Sequence, residues 1–328
     1  MDSLAWKAPR ARLATAAGAA AIAIGLVAAG CGSSPTPASA RSQQHPKATT
    51  AGSYPMKVTS SAGTVVVKSR PSRIVSLSPT ATENLFAIGA GRQVVAVDSD
   101  SDYPPDAPHT KIEALDPNLE AVADYRPDLV IVSDGPAKFD AELTKLRIPV
   151  VNEAAPADLA QAYQQIEQLG KLTGHAAKAD AVVAGMKKEI ARLVREVPKH
   201  EPPLTYFYEL STAPYYTVTS ATFVGSLLSL LGLKDIADRA GVHAAGGYPQ
   251  ISSESIVAAR PDLIFLADTG NAGGQTPATV EKRPGWAAIP AVKDGDILPL
   301  NPDIASRWSP RIVILMQDVV NEVRKVER

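Results

Sequence analysis

Covalent chemistry needs nucleophiles, acids and bases, or metal ligands gathered at one point, and this chain spaces few residues for that. Its 328 residues include one cysteine, Cys31, and five histidines, His45, His109, His175, His200 and His243, scattered singly. A bare-metal site wants two or three such ligands converging. Only a spatial meeting of His109 with His243 would supply part of one. No G-x-S-x-G, Walker A, H-E-x-x-H or strand–GxGxxG–helix pattern occurs, and Gly89-Ala90-Gly91 reads as the stop of a helix. The chain is therefore expected not to be an enzyme and to carry no cofactor or metal site. Its remaining chemistry is non-covalent. Asp98, Asp100 and Asp102 alternate in an expected loop, where they either face water or meet a cationic or polar ligand group. Tyr103, Tyr215, Tyr216, Tyr248 and Trp308 also fall at expected loop positions. Each alone is an ordinary packing residue; as a set they suit a large, flat or partly apolar ligand. Arg307, beside Trp308, is either an anion donor or cation–π partner, or one half of a salt bridge across a cleft.

Such residues must be positioned by a scaffold, and its plan is visible in the pattern. Short apolar runs at Arg73–Leu77, Val94–Val97, Leu129–Val132 and Pro149–Val151 alternate with helical stretches. The alternation resumes with Leu204–Tyr208, Tyr216–Thr219, Leu263–Ala267 and Ile297–Leu300. Strands alternating with helices predict mainly parallel sheets with helices on their faces. Met56–Lys68 reads as an entry hairpin, Ser78–Thr82 as a loop, and Ser309-Pro310 as the cap of a final helix over Arg311–Val326. Glu120–Asp134 aligns without gaps on Glu254–Asp268, through Arg126-Pro-Asp-Leu and Arg260-Pro-Asp-Leu. Leu85–Gly89 matches Leu228–Gly232 in the same order. Two ordered matches predict two lobes of one architecture. Between them, His175–Pro198 carries an apolar stripe at Ala179, Val182, Met186, Ile190, Leu193 and Val197, the spacing of one long helix. Ala176–Val197 would extend roughly 33 Å. Open parallel sheets bind ligands at the carboxyl ends of their strands, so two facing lobes make a cleft. Ser78, Ser133 and Asp303 join the aromatic residues on the loops expected to line it. Glu120 and Glu254 hold one repeat position, each starting a short helix where a carboxylate suits the macrodipole.

Residues 1–30 read as a signal peptide, with Lys7, Arg10 and Arg12 before the apolar run Leu13–Ala29. That run ends in Leu26-Val-Ala-Ala-Gly-Cys31, similar to a lipobox, which implies lipidation of Cys31 and an extracytoplasmic protein anchored to a membrane. Residues 31–55, rich in Ser, Pro, Ala and Thr, read as a disordered tether. The expected lobes are 56–173 and 199–328, with 174–198 as the linking helix. Net charge is −1, which gives no preference for nucleic acid.

Arg73-Ile-Val-Ser-Leu-Ser-Pro79 with Thr82-Glu83, Val97–Pro105, Asn118-Leu-Glu120, Arg126-Pro-Asp-Leu, Ile251-Ser-Ser-Glu254 and Ser309-Pro-Arg311 follow in one order. Together they resemble the substrate-binding lipoproteins of type II ABC importers, for cobalamin and iron–siderophore complexes. The resemblance implies two α/β lobes joined by a rigid helix, with the ligand cleft between them. It implies a monomer that hands a small-molecule metal chelate to a permease dimer driven by a cytoplasmic ATPase. Glu120 and Glu254 would dock on arginines of the two permease subunits. Ligand contacts are expected from Ser78, Asp100, Tyr103, Ser133, Tyr215, Tyr248, Asp303, Arg307 and Trp308. Aromatic pocket positions of the cobalamin binders fall here on Asp100, Ala114 and Ser133, while Tyr248 keeps its ring and Asp303 and Arg307 stay polar. A ferric siderophore, haem or an altered corrinoid therefore fits as well as cobalamin. A bare transition metal, an oxyanion such as molybdate, or a non-transport sensor on the same fold are the alternatives.

Overall fold

Each lobe is built on a four-stranded parallel sheet of the same strand order. The computed structural model describes residues 53–239, 245–270 and 274–326. The expected signal peptide, Cys31 and nearly all of the expected tether lie outside these residues, as do His45 and His243. The chain enters through an antiparallel hairpin, β1 (Met56–Ser60) and β2 (Gly63–Val67). The N-terminal lobe then follows as β3 (Ile74–Leu77), α1 (Pro79–Ala87), β4 (Val94–Val97), α2 (Leu119–Ala123), β5 (Leu129–Val132), α3 (Ala137–Lys145) and β6 (Val150–Asn152). Two helices come next, α4 (Leu159–Thr173) and α5 (Ala176–Glu196).

The C-terminal lobe opens with β7 (Thr205–Glu209), the small hairpin β8 (Ser211–Thr212) and β9 (Tyr215–Tyr216), α6 (Phe223–Leu230), β10 (Lys234–Asp235) and α7 (Ile236–Arg239). It continues with α8 (Ser253–Ala259), β11 (Leu263–Leu266), α9 (Pro277–Glu281), α10 (Pro290–Asp294), β12 (Ile297–Pro299), α11 (Pro302–Ser306) and α12 (Ile312–Val323). The sheets run β4-β3-β5-β6 and β10-β7-β11-β12, and every neighbouring pair is parallel.

The sequence repeat has a physical counterpart. Arg126 and Arg260 both take the left-handed conformation, at φ 48° and 49°. Each turns the chain out of its helix so that the following aspartate ties the next strand to the first strand of its lobe. Asp128 accepts from the backbone N–H groups of Ser72 (2.8 Å) and Arg73 (2.9 Å). Asp262 accepts from the Thr205 N–H (2.7 Å) and hydroxyl (2.9 Å).

Strand residues alternate between two cores, because successive side chains point to opposite faces. Val75, Leu77, Val130 and Val132 pack with Phe139 in a core of the N-terminal lobe alone. Phe207, Ile264 and Leu266 pack with Trp286 in a core of the C-terminal lobe alone. The other faces, with Ile74, Ile131, Tyr206, Tyr208 and Phe265, belong to one continuous core that runs through both lobes. Helix α5 is its spine: Ala179, Val183, Met186, Ile190 and Leu193 are buried between α4 and α12. Val183 takes the buried place expected of Val182, which is only half-buried. The helix ends at Glu196, before Pro198, which lacks an amide donor. Gly174 closes α4 at φ 76°, and α4 then packs so tightly on α5 that a Cβ on Gly170 would lie 2.3 Å from that of Ala179.

Three expectations are corrected. Pro79–Thr82 is not a loop but the first turn of α1, because Ser78 caps the helix by accepting from the Ala81 N–H (3.2 Å) and Pro79 supplies a helical φ without needing a partner. The strand expected over Tyr216–Thr219 shrinks to the end of the β8–β9 hairpin. The chain also joins the folded unit before Met56: the Tyr54 hydroxyl donates to the Leu172 carbonyl, and its ring packs on the shared core.

Candidate ligand cleft between the lobes

The carboxyl ends of β3, β4 and β5 face α11 and the segment after it, and a cavity of about 440 Å³ lies between them. Larger hollows of about 500 and 700 Å³ are lined by the N-terminal lobe alone. From the N-terminal lobe, Ser78, Asp100 and Ser133 line the interlobe cavity; from the C-terminal lobe, Asp303, Arg307 and Trp308 do. These are six of the nine residues expected to contact ligand. Thr80, Ser99, Asp102 and Ser306 also line it.

Each of the six is held by a specific local cause. Ser78 caps α1, so its hydroxyl is fixed at the helix start. The Ser133 hydroxyl donates to the Glu153 carbonyl (3.0 Å). Asp303 lies in the first turn of α11, capped by Asn301, and reaches Arg307 one turn later (2.7 Å). Trp308 meets Phe223 edge-to-face, with ring centroids 6.4 Å apart. Asp98, expected on the loop surface, is instead buried and shapes the turn. It accepts from the Ser101 hydroxyl (2.7 Å) and the Asp100 N–H (3.0 Å). Burial raises its pKa, which the Ser101 hydrogen bond partly offsets. The same Ser101 hydroxyl lies 3.0 Å from that of Thr82, which donates to Ser76. With Asp98 held inside, Asp100 and Asp102 turn outward.

Arg307 decides how the floor of the cleft is wired. Of the readings open to it, the structure realises the salt bridge across the cleft. Its Nη1 donates to Glu83 (3.0 Å) and Asp102 (2.9 Å), and its Nη2 to the Asp100 carbonyl (2.9 Å) and Asp303 (2.7 Å). Burial opposes its charge, but hydrogen bonds to Glu83 and Asp102 leave its pKa above the ordinary arginine value. Glu83, on α1, is only 3 % exposed. It also accepts from Arg311 Nε (2.9 Å), Arg311 Nη2 and the Ser309 hydroxyl. Arg311 in turn lies 4.1 Å over the Tyr103 ring. Glu83, Ser309 and Arg311 thus form a buried polar joint between the lobes that residue-by-residue reading missed. The available signal was a lone carboxylate at the head of the otherwise uncharged stretch Glu83–Ile88, together with the stretches Thr82-Glu83 and Ser309-Pro-Arg311.

Tyr103, Tyr215 and Tyr248 do not line this cavity. Tyr103 is stacked on Arg311. Tyr215 packs against Trp286 (5.6 Å) in the core of the C-terminal lobe, beside Arg283, which pairs with the fully buried Glu209. Tyr248 is 47 % exposed. Among the described residues, no three His, Cys, Asp or Glu side chains are grouped to hold a metal ion, and no helix is long and apolar enough to cross a membrane.

Glu120 and Glu254, which do not line the cavity, occupy matched positions. Each is the second residue of its helix, after the caps Asn118 and Ser252, and each is exposed. Hydrogen bonds from its own backbone N–H and from Ser252 hold the Glu254 carboxyl below its usual range.

Residues 74–304 match the family model described as periplasmic binding protein. The chain is 30% identical over 270 residues to an uncharacterized ABC transporter substrate-binding lipoprotein of Bacillus subtilis, covering 79% of this chain and 82% of that one. It superimposes with a TM-score of 0.68 on a possible iron-binding (periplasmic solute-binding) protein of Staphylococcus epidermidis, at 27% identity, covering 78% and 99% of the two chains. The periplasmic vitamin B12-binding protein of Vibrio cholerae gives 0.65 at 26% identity, covering 78% and 98%. With two like parallel-sheet lobes, one linking helix and a cleft between them, the chain belongs to the periplasmic binding protein family, the substrate-binding components of ABC importers.

Proposed function

We propose that the interlobe cleft captures a metal chelate, an iron–siderophore or cobalamin-like complex, and that the protein delivers it unchanged to an ABC permease. The observation that carries this reading is the cavity at the carboxyl ends of one parallel sheet, lined from both lobes by Ser78, Asp100, Ser133, Asp303, Arg307 and Trp308. Polar groups set on capped helix starts and short loops are fixed before the ligand arrives, which suits non-covalent recognition. The protein acts as a monomer on the outer side of the cell membrane, held there by a lipid on Cys31 and a tether within residues 31–55. Glu120 and Glu254, one per lobe and both exposed in the first turn of a short helix, dock on cationic residues of the two permease subunits. ATP hydrolysis on the cytoplasmic side drives release. The purified protein, titrated with cobalamin, haem and a panel of ferric siderophores while tryptophan fluorescence is followed, should saturate with one chelate class. Binding only of free Zn²⁺, Mn²⁺ or molybdate would overturn the chelate reading.

A further inference from the structure

The cleft floor has an uneven charge balance. Four carboxylates, Glu83, Asp100, Asp102 and Asp303, meet two guanidinium groups, Arg307 and Arg311. Both cations are turned inward. Arg307 is 7 % exposed, and four of its five N–H donors are committed to Glu83, Asp102, Asp303 and the Asp100 carbonyl. Arg311 binds Glu83 through Nε and Nη2, and its flat face rests on Tyr103. Arg311 does not line the cavity, and Arg307, which does, keeps only its Nε–H outside these bonds. The carboxylates are placed the other way. Asp102 and Asp303 each give one oxygen to Arg307, and their side chains stay 61 % and 39 % exposed. Asp100 lines the cavity with its carboxylate outside this network, since Arg307 takes only its carbonyl. Hydroxyl groups and Trp308 make up most of the remaining lining, and no lysine or histidine contributes to it. A narrow cleft with low-dielectric walls concentrates such a field.

Resting on the capture role proposed above, we infer that the cleft selects chelates presenting a cationic group or N–H and O–H donors to its floor, and discriminates against polyanionic chelates. Asp100 is the specificity-determining residue for this choice. The outward oxygens of Asp102 and Asp303 add to the field, and Arg307 serves as a fixed internal counter-ion.

Matched probes of one chelate with and without the charge test this. Full-length protein is titrated with ferrioxamine B, which carries a free ammonium group, and with its neutral N-acetyl derivative. Aquocobalamin and cyanocobalamin form a second cationic and neutral pair, and ferric enterobactin is the anionic probe. The cationic member of the pair that binds should bind about threefold to tenfold more tightly, with the gap shrinking as salt rises. Asp100→Asn, which keeps the backbone contacts, should reduce that ratio severalfold without moving the thermal midpoint. A ligand-independent arm uses Trp6→Phe protein, in which Trp308 is the accessible indole because Trp286 is buried. Caesium should quench Trp308 more than iodide does, each normalised to N-acetyltryptophanamide, and Asp100→Asn should lower the caesium term. Tighter binding of the neutral or anionic probe, a ratio untouched by Asp100→Asn, or preferential iodide quenching would overturn the inference. If no chelate binds but caesium is preferred, charge selection stands and the capture role fails.

Discussion

Glu83 of the N-terminal lobe and Arg307 of the C-terminal lobe, 224 residues apart in sequence, meet at 3.0 Å with both side chains buried. Removing one partner of such a pair leaves the other charged and buried, which costs about 3–5 kcal/mol. Arg307 keeps Asp102 and Asp303, and Glu83 keeps Arg311, so Glu83→Ala and Arg307→Ala should each cost less than that, about 1–3 kcal/mol, in urea titrations. The double variant should lose less than the two losses together, because the bond the two side chains share is lost only once. Independent, additive losses would show that the two groups are not coupled.

Contact between α4 and α5 makes a sharper packing prediction. A methyl group on Gly170 would overlap the Cβ of Ala179. Gly170→Ala should therefore destabilise by about 1–3 kcal/mol, and adding Ala179→Gly should recover part of the loss. Denaturant midpoints of the two variants decide it.

Stability should fall as pH rises from about 5 to 8. Burial pushes the Glu153 carboxyl from an ordinary 4.5 up to about 8, and that of Asp235 up to about 7. The folded chain then holds protons that the unfolded chain releases near pH 4–5. Between those values the folded state binds more protons, so ionisation favours unfolding as pH increases. Glu153→Gln removes one such group and should gain on the wild type by on the order of 3 kcal/mol between pH 5 and pH 8. A pH-independent difference between the two would contradict the assignment.

Transport should separate from binding at the two exposed glutamates. Glu120→Ala with Glu254→Ala is expected to abolish uptake of the chelate by cells while leaving its affinity for the purified protein within about twofold, since neither residue lines the cavity. Normal uptake by the double variant would sink the docking role.

The shared core argues for small lobe movement. Buried residues of α5 and α12 belong to one cluster with strand residues of both sheets, so a wide hinge opening would expose apolar surface. Scattering curves recorded with and without the bound chelate should nearly superimpose; a large ligand-induced drop in radius of gyration would refute this.

Much of the scaffold was legible because its causes are local. The matched segments Glu120–Asp134 and Glu254–Asp268 do the same work in each lobe: a left-handed arginine turns the chain, and Asp128 or Asp262 ties the next strand to the first. That is a property of a few consecutive residues, so it appears as a repeat. The α5 stripe was legible for the same reason, since helical periodicity reports which face is covered without saying by what. Ser78-Pro79 carries a cap signal too, but a serine–proline pair also starts turns; the folded chain resolves this by giving the Ala81 amide to Ser78.

Two like parallel-sheet lobes, the helix between them, and loops at the strand ends rich in Asp, Ser and aromatic residues all follow from the order of residues along the chain. Which of those residues meet is set by the packing of one lobe on the other. Tyr103 and Tyr215 were candidates by their expected loop positions, but one is stacked on Arg311 and the other is packed with Trp286. Arg307 carried two readings until Glu83 and Asp102, from the opposite lobe, engaged it. Periodicity records a residue's own element and the face it buries. The partner of a buried charge comes from a distant segment, and it is fixed only when both lobes have folded around the shared core.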